Sequence, residues 1–241
     1  MIRLLVAAED GLAHRLAVHL ADRCCQEVEW VGDQIDHFRT WVAFAGNDYL
    51  DLKRVKDLAK GLRIRAWGHF DGHPGAEDAL LMRKLFRVVD AQDIGVDVLV
   101  VARDVDGRDR RAGFDQARRE FAHATFMVVG ALAEPEFEAW LVSAWQPETD
   151  AEREALAGQK QRLGFDPVRD SHQLTSTGDG PRDSKKVLQG LAGGVEPAER
   201  RFRSRSLAEL AAAGAGNGIA TCLAEVRSRL HERLGSGRGY G

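Results

Sequence analysis

The stretch "VDVLVVARDVDGRD", residues 96–109, constrains the fold of this chain more than any other. Val98 to Ala102 form an unbroken apolar run, without the alternation of a strand that faces water on one side. Such a run predicts a strand buried on both faces, which needs parallel neighbours and covering helices. The first 145 residues supply them. "IRLLVAA" (2–8) reads as a strand, and the helix after it carries Leu12, Leu16 and Leu20 at four-residue spacing with Val18 beside them. "EVEWV" (27–31) reads as a second strand and "DLKRVKDLAKGL" (51–62) as a helix stopped at Gly61. "RIRAWGH" (63–69) reads as a strand, and "PGAEDALLMRKLFRVV" (74–89) as a helix with Pro74 near its start. Residues 108–124 read as a helix, "TFMVVGAL" (125–132) as a strand, and "EPEFEAWLVSAW" (134–145) as a helix with Pro135 in its first turn. Residues 32–50 match no template.

Alternating strands and helices predict an α/β fold, a mostly parallel sheet flanked by helices in a Toprim- or Rossmann-like arrangement. After residue 146 the strand patterns stop. Residues 147–164, 185–194 and 206–234 read as helices, the last broken near Gly214–Gly218, and 165–184 as a polar loop. The expected organisation is an α/β core over 1–146 and a helical C-terminal extension over 147–241, with a fraying tail "GSGRGYG".

Charged residues make up 29% of the 241, and the net charge of −3 predicts no bulk attraction to nucleic acid while leaving room for a local basic patch. Cys24, Cys25 and Cys222 form no disulfide framework and no CxxC pair, so reduced thiols in a cytoplasmic protein are expected. "MIRLLVAAEDG" carries too short an apolar run for a signal peptide, and no stretch reads as a membrane span.

The acids fall where such sheets bind ligands, just past the carboxyl ends of strands. Glu9 and Asp10 follow the first strand, Asp104 and Asp106 follow the 96–102 strand, and Glu134, Glu136 and Glu138 follow the 125–132 strand. Each has a plain reading as a turn residue, an N-cap or a charge favoured by a helix dipole. Together they predict a carboxylate site for Mg²⁺ or Mn²⁺, hard ions that take oxygen ligands and relieve repulsion among clustered acids. Glu138 lies one helical turn beyond Glu134, so both are placed toward the metal, while Glu136 is expected to point into solvent. "GHFDGHPG" (68–75) offers His69, Asp71 and His73 but lacks a fourth ligand and reads as a loop. "AGAGNG" (213–218) follows no strand and lacks the Lys-Ser/Thr of a phosphate loop.

An acid after the first strand and DxD after a later one resemble the Toprim pattern of topoisomerases, primases and overcoming-lysogenization-defect nucleases. "VVARDVDGRD", "ALAEPEFEAWLVSAW" and "GPRDSKKVL" (180–188) resemble more closely the Toprim-like family labelled DUF4276, over roughly residues 2–190. The Toprim glutamate is usually followed by glycine. Here Asp10 intervenes before Gly11, and Glu9, first after the strand, takes the role. The resemblance implies a Mg-dependent nuclease or related phosphodiester enzyme. In it Asp104 and Asp106 hold the metal with Glu134 or Glu138, and Glu9 serves as general base or further ligand. Arg103, Arg108, Lys185 and Lys186 are placed on substrate phosphates. The resemblance also implies a nucleic-acid substrate and an ATPase partner, in defence against phage. Two alternatives stand beside it. One is a haloacid-dehalogenase-type phosphatase using "DVDG", although Arg108 stands where Thr or Val usually follows the glycine. The other is a non-catalytic partner subunit with a degenerate site.

Overall fold

The strand "IRLLVAA" becomes β1 (Ile2–Ala8), buried at every position except Arg3. A computed structural model describes residues 1–178 and 180–236. After β1 come α1 (Gly11–Gln26), β2 (Arg39–Trp41), β3 (Leu50–Asp51) and α2 (Val55–Gly61). They are followed by β4 (His69–Phe70), β5 (His73–Pro74), α3 (Ala79–Gln92), β6 (Val98–Asp104), α4 (Arg110–Glu120) and β7 (Met127–Ala133). The remainder is helical: α5 (Phe137–Ala144), α6 (Asp150–Leu163), α7 (Ser184–Ala192), α8 (Val195–Ser204), α9 (Leu207–Ala213) and α10 (Ile219–Ser236). Of the tail expected to fray, residues 237–241 lie outside the described residues. No helix among the described residues is long and apolar enough to cross a membrane.

The fold is α/β, with a mostly parallel sheet in the order β2-β1-β6-β7. β1 pairs in parallel with β6 from Leu4 opposite Val98 to Ala8 opposite Ala102. On its other edge the first half of β1 pairs with β2 and its end pairs with β3, both parallel. The apolar run at 98–102 is therefore the buried strand its composition predicts, with every residue buried.

Two predicted strands are absent. Residues 27–31 instead prolong the end of α1: the Val28 carbonyl accepts the N–H groups of Val31 and Gly32 at 2.8 and 3.2 Å. The alternation of "EVEWV" imitates a strand, but local turn bonds take its backbone. The strand comes later, in the region without a clear pattern, where Arg39 reaches back to α1. Its Nε and Nη2 donate to Asp22 Oδ1 and Oδ2 at 2.7 and 2.8 Å, and Trp41 Nε1 donates to the same carboxylate at 3.1 Å. Residues 63–69 are irregular except for His69, which enters the small antiparallel β4–β5 hairpin. Pro74 belongs to that hairpin, so α3 begins at Ala79 rather than beside the proline. Helix α8 is a further element that the sequence pattern does not announce. It buries Ala198, Glu199 and Phe202, so just two apolar residues, four apart, lie on its buried face.

Packing divides the chain into two compact units: Met1–Arg103, Arg108–Ala131 and Glu225 onward form the first, and Asp104–Gly107 with Leu132–Ala224 form the second. The expected boundary stands at 146/147, whereas the packing divides at 131/132 and 224/225. In the first unit α1 buries Leu16, Leu20, Cys24 and Cys25, while α3 buries Leu85, Phe86 and Val89. Phe86 meets Phe114 of α4 edge to face, with ring centroids 6.4 Å apart. Arg83 is buried among them, its guanidinium 3.4 Å from the centre of the Phe70 ring and bonded to Glu120 at 2.6 Å. In the second unit α5 is buried at every position and forms the core, with α7, α8 and α9 packed on it. A helix buried all round has no solvent face and needs such a shell.

Two outcomes test this packing. A Cβ built on Gly113 in α4 would lie 1.8 Å from the Glu77 carbonyl oxygen. Gly113→Ala should therefore cost about 3 kcal/mol or more in urea unfolding, beyond ordinary overpacking. Burial, reinforced by Glu27 for Cys24, pushes the Cys24 and Cys25 thiols up to about 12. Because the folded pKa values are raised, the stabilisation they carry is complete below the ordinary thiol range and is lost as pH climbs from there toward 12. At neutral pH a thiol-reactive probe should label all three cysteines, each buried, only after denaturant is added.

Candidate metal centre

β6 delivers Asp104 at its end, and the next residues turn at once. Asp106 and Gly107 take left-handed φ values of 55° and 67°, a conformation open to glycine and tolerated by aspartate. Two backbone bonds fix this turn within the second unit. The Val105 N–H donates to the Ala133 carbonyl at 2.8 Å, and the Asp106 N–H donates to the Pro135 carbonyl at 2.8 Å. A third bond comes from α5, where the Phe137 N–H donates to Asp104 Oδ1 at 3.0 Å. Asp104 thus satisfies an orphan donor at the helix start that the N-cap residue, Glu136, leaves to it.

The side chain of Glu136 is turned to a different task. Asp104, Asp106 and Glu136 each offer one carboxylate oxygen, and these oxygens lie within 4.8 Å of one another. Glu136 is only 2% exposed, which corrects the expectation that it points into solvent. That expectation counted residues 134–138 along one helix. Pro135 instead precedes α5, joined to Glu134 by a cis peptide bond, and the helix begins at Phe137. Helical spacing therefore does not govern Glu134 or Glu136. Glu134 is half-buried, its N–H donating to the Asn217 carbonyl at 2.9 Å. Glu138 stands in the first turn of α5, and neither it nor Glu134 belongs to the three-carboxylate group.

The "GPRDSKKVL" segment supplies the groups around Glu136. Ser184 Oγ donates to Glu136 Oε1. Lys185 Nζ lies 3.2 Å from Glu136 Oε2 and 3.8 Å from Glu138 Oε1. Partial burial works against the charge of Lys185, but the Glu138 and Glu136 carboxylates outweigh it and hold its pKa above the ordinary lysine value. Asp183 fixes the approach of this segment, accepting the Lys186 N–H at 2.8 Å and so capping α7. The Lys186 side chain is exposed.

Two unit charges 4.8 Å apart repel by about 3.5 kcal/mol at an effective dielectric near 20. Lys185, whose side chain is 61% exposed, offsets little of this. A divalent ion offsets more, and the donor set fits one. Oxygens on opposite sides of Mg²⁺ stand about 4 Å apart and those on Ca²⁺ about 5 Å. All three donors are hard carboxylate oxygens. The cluster could therefore hold a divalent metal ion.

No family model, curated protein or solved structure matches this chain. What the centre can do follows from its own atoms and from the groups that position them.

Asn217 is the main positioning group that the sequence pattern does not reveal. Its Nδ2 donates to Ser143 Oγ and Ser171 Oγ, both at 2.9 Å, and its carbonyl accepts Trp140 Nε1 at 2.7 Å. The "AGAGNG" break between α9 and α10 thus ties α5 to the segment that carries Glu134 and Glu136. Its only signal in the sequence is an asparagine among small residues in a helix break.

The remaining predicted site residues lie in the first unit. Asp10 caps α1, accepting the Ala13 N–H at 2.9 Å. Glu9 accepts from Arg103 and lies 3.9 Å from Arg110 Nη1. Asp78 Oδ2 takes Arg103 Nε and Arg110 Nε at 2.6 and 3.2 Å, completing a network of two arginines and two acids. Arg108 pairs with Glu77 at 2.9 Å at the surface. His69, Asp71 and His73 are exposed on the β4–β5 hairpin and form no three-ligand group among the described residues.

Adding Mn²⁺ or Mg²⁺ should raise the thermal midpoint, by the equivalent of about 2.7 kcal/mol at one hundred times the dissociation constant. Differential scanning fluorimetry should show this rise lost in Asp106→Asn and in Glu136→Gln and kept in Glu9→Gln. Asn217→Ala removes bonds to two buried hydroxyls. It should lower stability by about 2–4 kcal/mol in denaturant titration, the cost of leaving such groups unpaired.

Proposed function

We propose that this chain is a divalent-metal-dependent phosphodiesterase that cuts nucleic acid, built on Toprim-like lines. One observation carries the reading: three oxygens from the β6 turn and the start of α5 converge within 4.8 Å, with Lys185 beside them. Asp104, Asp106 and Glu136 would hold the ion. When bound, Mg²⁺ or Mn²⁺ supplies Lewis-acid stabilisation of phosphate charge and a more acidic water. The Phe137 N–H and Ser184 Oγ keep Asp104 and Glu136 aimed, the support that ligating carboxylates need. Lys185, kept in place by Glu136 and Glu138, would offer a positive charge to a substrate phosphate.

The Toprim resemblance further assigns Glu9 as general base and Arg103, Arg108 and Lys186 as phosphate contacts, and it brings the ATPase partner and the phage-defence setting with it. Those assignments belong to this proposal. The pairing of Glu9 with Arg103 holds that carboxylate in a fixed orientation.

Supercoiled plasmid incubated with the protein and Mg²⁺ or Mn²⁺ tests the reading. Nicking or linearisation should occur, stop with EDTA, and fall at least about 100-fold in Asp104→Ala/Asp106→Ala, the scale on which removing metal-site support acts. Cutting that survives in the double variant contradicts the proposal. So does hydrolysis of para-nitrophenyl phosphate without any cutting of DNA.

A further inference from the structure

A basic groove lies in the first unit, among the end of α4, the start of β7 and the last turns of α10. It encloses about 490 Å³. Arg118, Arg119, Arg229 and Arg233 line it, over apolar surface that includes Phe121 and Phe126. A chain with net charge −3 has gathered four guanidinium groups in one concavity. Helix dipoles favour arginine at the last turn of a helix, which accounts for single residues there. They do not account for convergence from two helices.

The acids nearby balance only part of this charge. Arg118 is answered by Asp115 and by Glu225, each at 2.7 Å. Glu225 is further occupied by the Gly130 N–H at 3.0 Å, and Glu120 pairs with Arg83. Glu232 is exposed on α10. Arg119 is exposed and Arg229 half-buried, and neither side chain forms an ion pair or hydrogen bond with another described residue. Phe121 is half-buried, with one edge against Phe86 at 5.4 Å between centroids, and it also lines the groove.

Unpaired arginines beside an aromatic ring match the chemistry of an unstacked nucleotide strand: phosphates on guanidinium groups and a base against the ring. A duplex is read by an element that projects into its groove, whereas this surface is concave. Its volume lies in the range that receives nucleotide-sized groups. We propose that this groove binds single-stranded nucleic acid, with Arg119 and Arg229 on backbone phosphates and Phe121 against a base. The inference stands on the groove and shares only its ligand class with the proposed activity.

Fluorescence anisotropy of a short labelled oligothymidylate, with the full chain in EDTA, tests it. The wild type should bind. Arg119→Glu/Arg229→Glu, which alters two side chains at the surface of the groove, should raise Kd about tenfold or more. It should also flatten the dependence of log K on log salt by about 1.4, the contribution of two phosphate contacts to a single strand. Arg119→Lys/Arg229→Lys should keep most of the salt slope, and polyglutamate should compete poorly. Absence of binding by the wild type, equal binding by the charge-reversed variant, or competition by polyglutamate as strong as by unlabelled strand each overturns the proposal. Because EDTA removes the divalent ion, failure of the cutting reaction leaves this readout unchanged, and the two outcomes are separable.

Discussion

Like charges held close together set the terms for the second unit. Asp104, Asp106 and Glu136 bring three carboxylate oxygens within 4.8 Å, with Glu136 buried. Such a cluster persists only if the surrounding backbone over-determines it. Here the β6 turn is bonded to Ala133 and Pro135, and Asp104 is bonded to the first N–H of α5. Helix α5, buried at every position, cannot shift to relax the cluster without opening the core. The three carboxylates are thus held in a rigid frame, the preorganisation that a cation site requires.

The same frame explains polar groups that would otherwise be costly in a core. Asn217 sits at 1% exposure with its amide satisfied by two serine hydroxyls, and it returns its carbonyl to Trp140 and to the Glu134 N–H. Ser184 is fully buried and spends its hydroxyl on Glu136. Each is a hydrogen-bonded strut, and buried polar networks of this kind are stable only when every member is paired. In the first unit Glu9 and Asp78 face Arg103 and Arg110.

Much of this was legible in the residues. The apolar run at 98–102 specified a buried parallel strand, and DxD at its end specified where acids would gather. In the glutamate-rich segment after β7 it is Glu136, the member expected in solvent, that joins the carboxylate group. Helical periodicity does not hold for residues that precede the helix, and sequence spacing does not show where a helix begins when a proline stands nearby. Strands β2 and β3 escaped notice because they are three and two residues long, too short for a period to register. Asn217 was invisible for another reason: its partners lie 46 and 74 residues away, and no local pattern encodes contacts at that range.

Diffraction from crystals soaked in Mn²⁺, recorded at the manganese absorption edge, addresses the carboxylate cluster most directly. An anomalous peak should stand bonded to oxygens of Asp104, Asp106 and Glu136 at about 2.0–2.6 Å, the range of hard-cation coordination. A well-ordered crystal with no peak at these three residues, or with manganese bound only elsewhere, would contradict it.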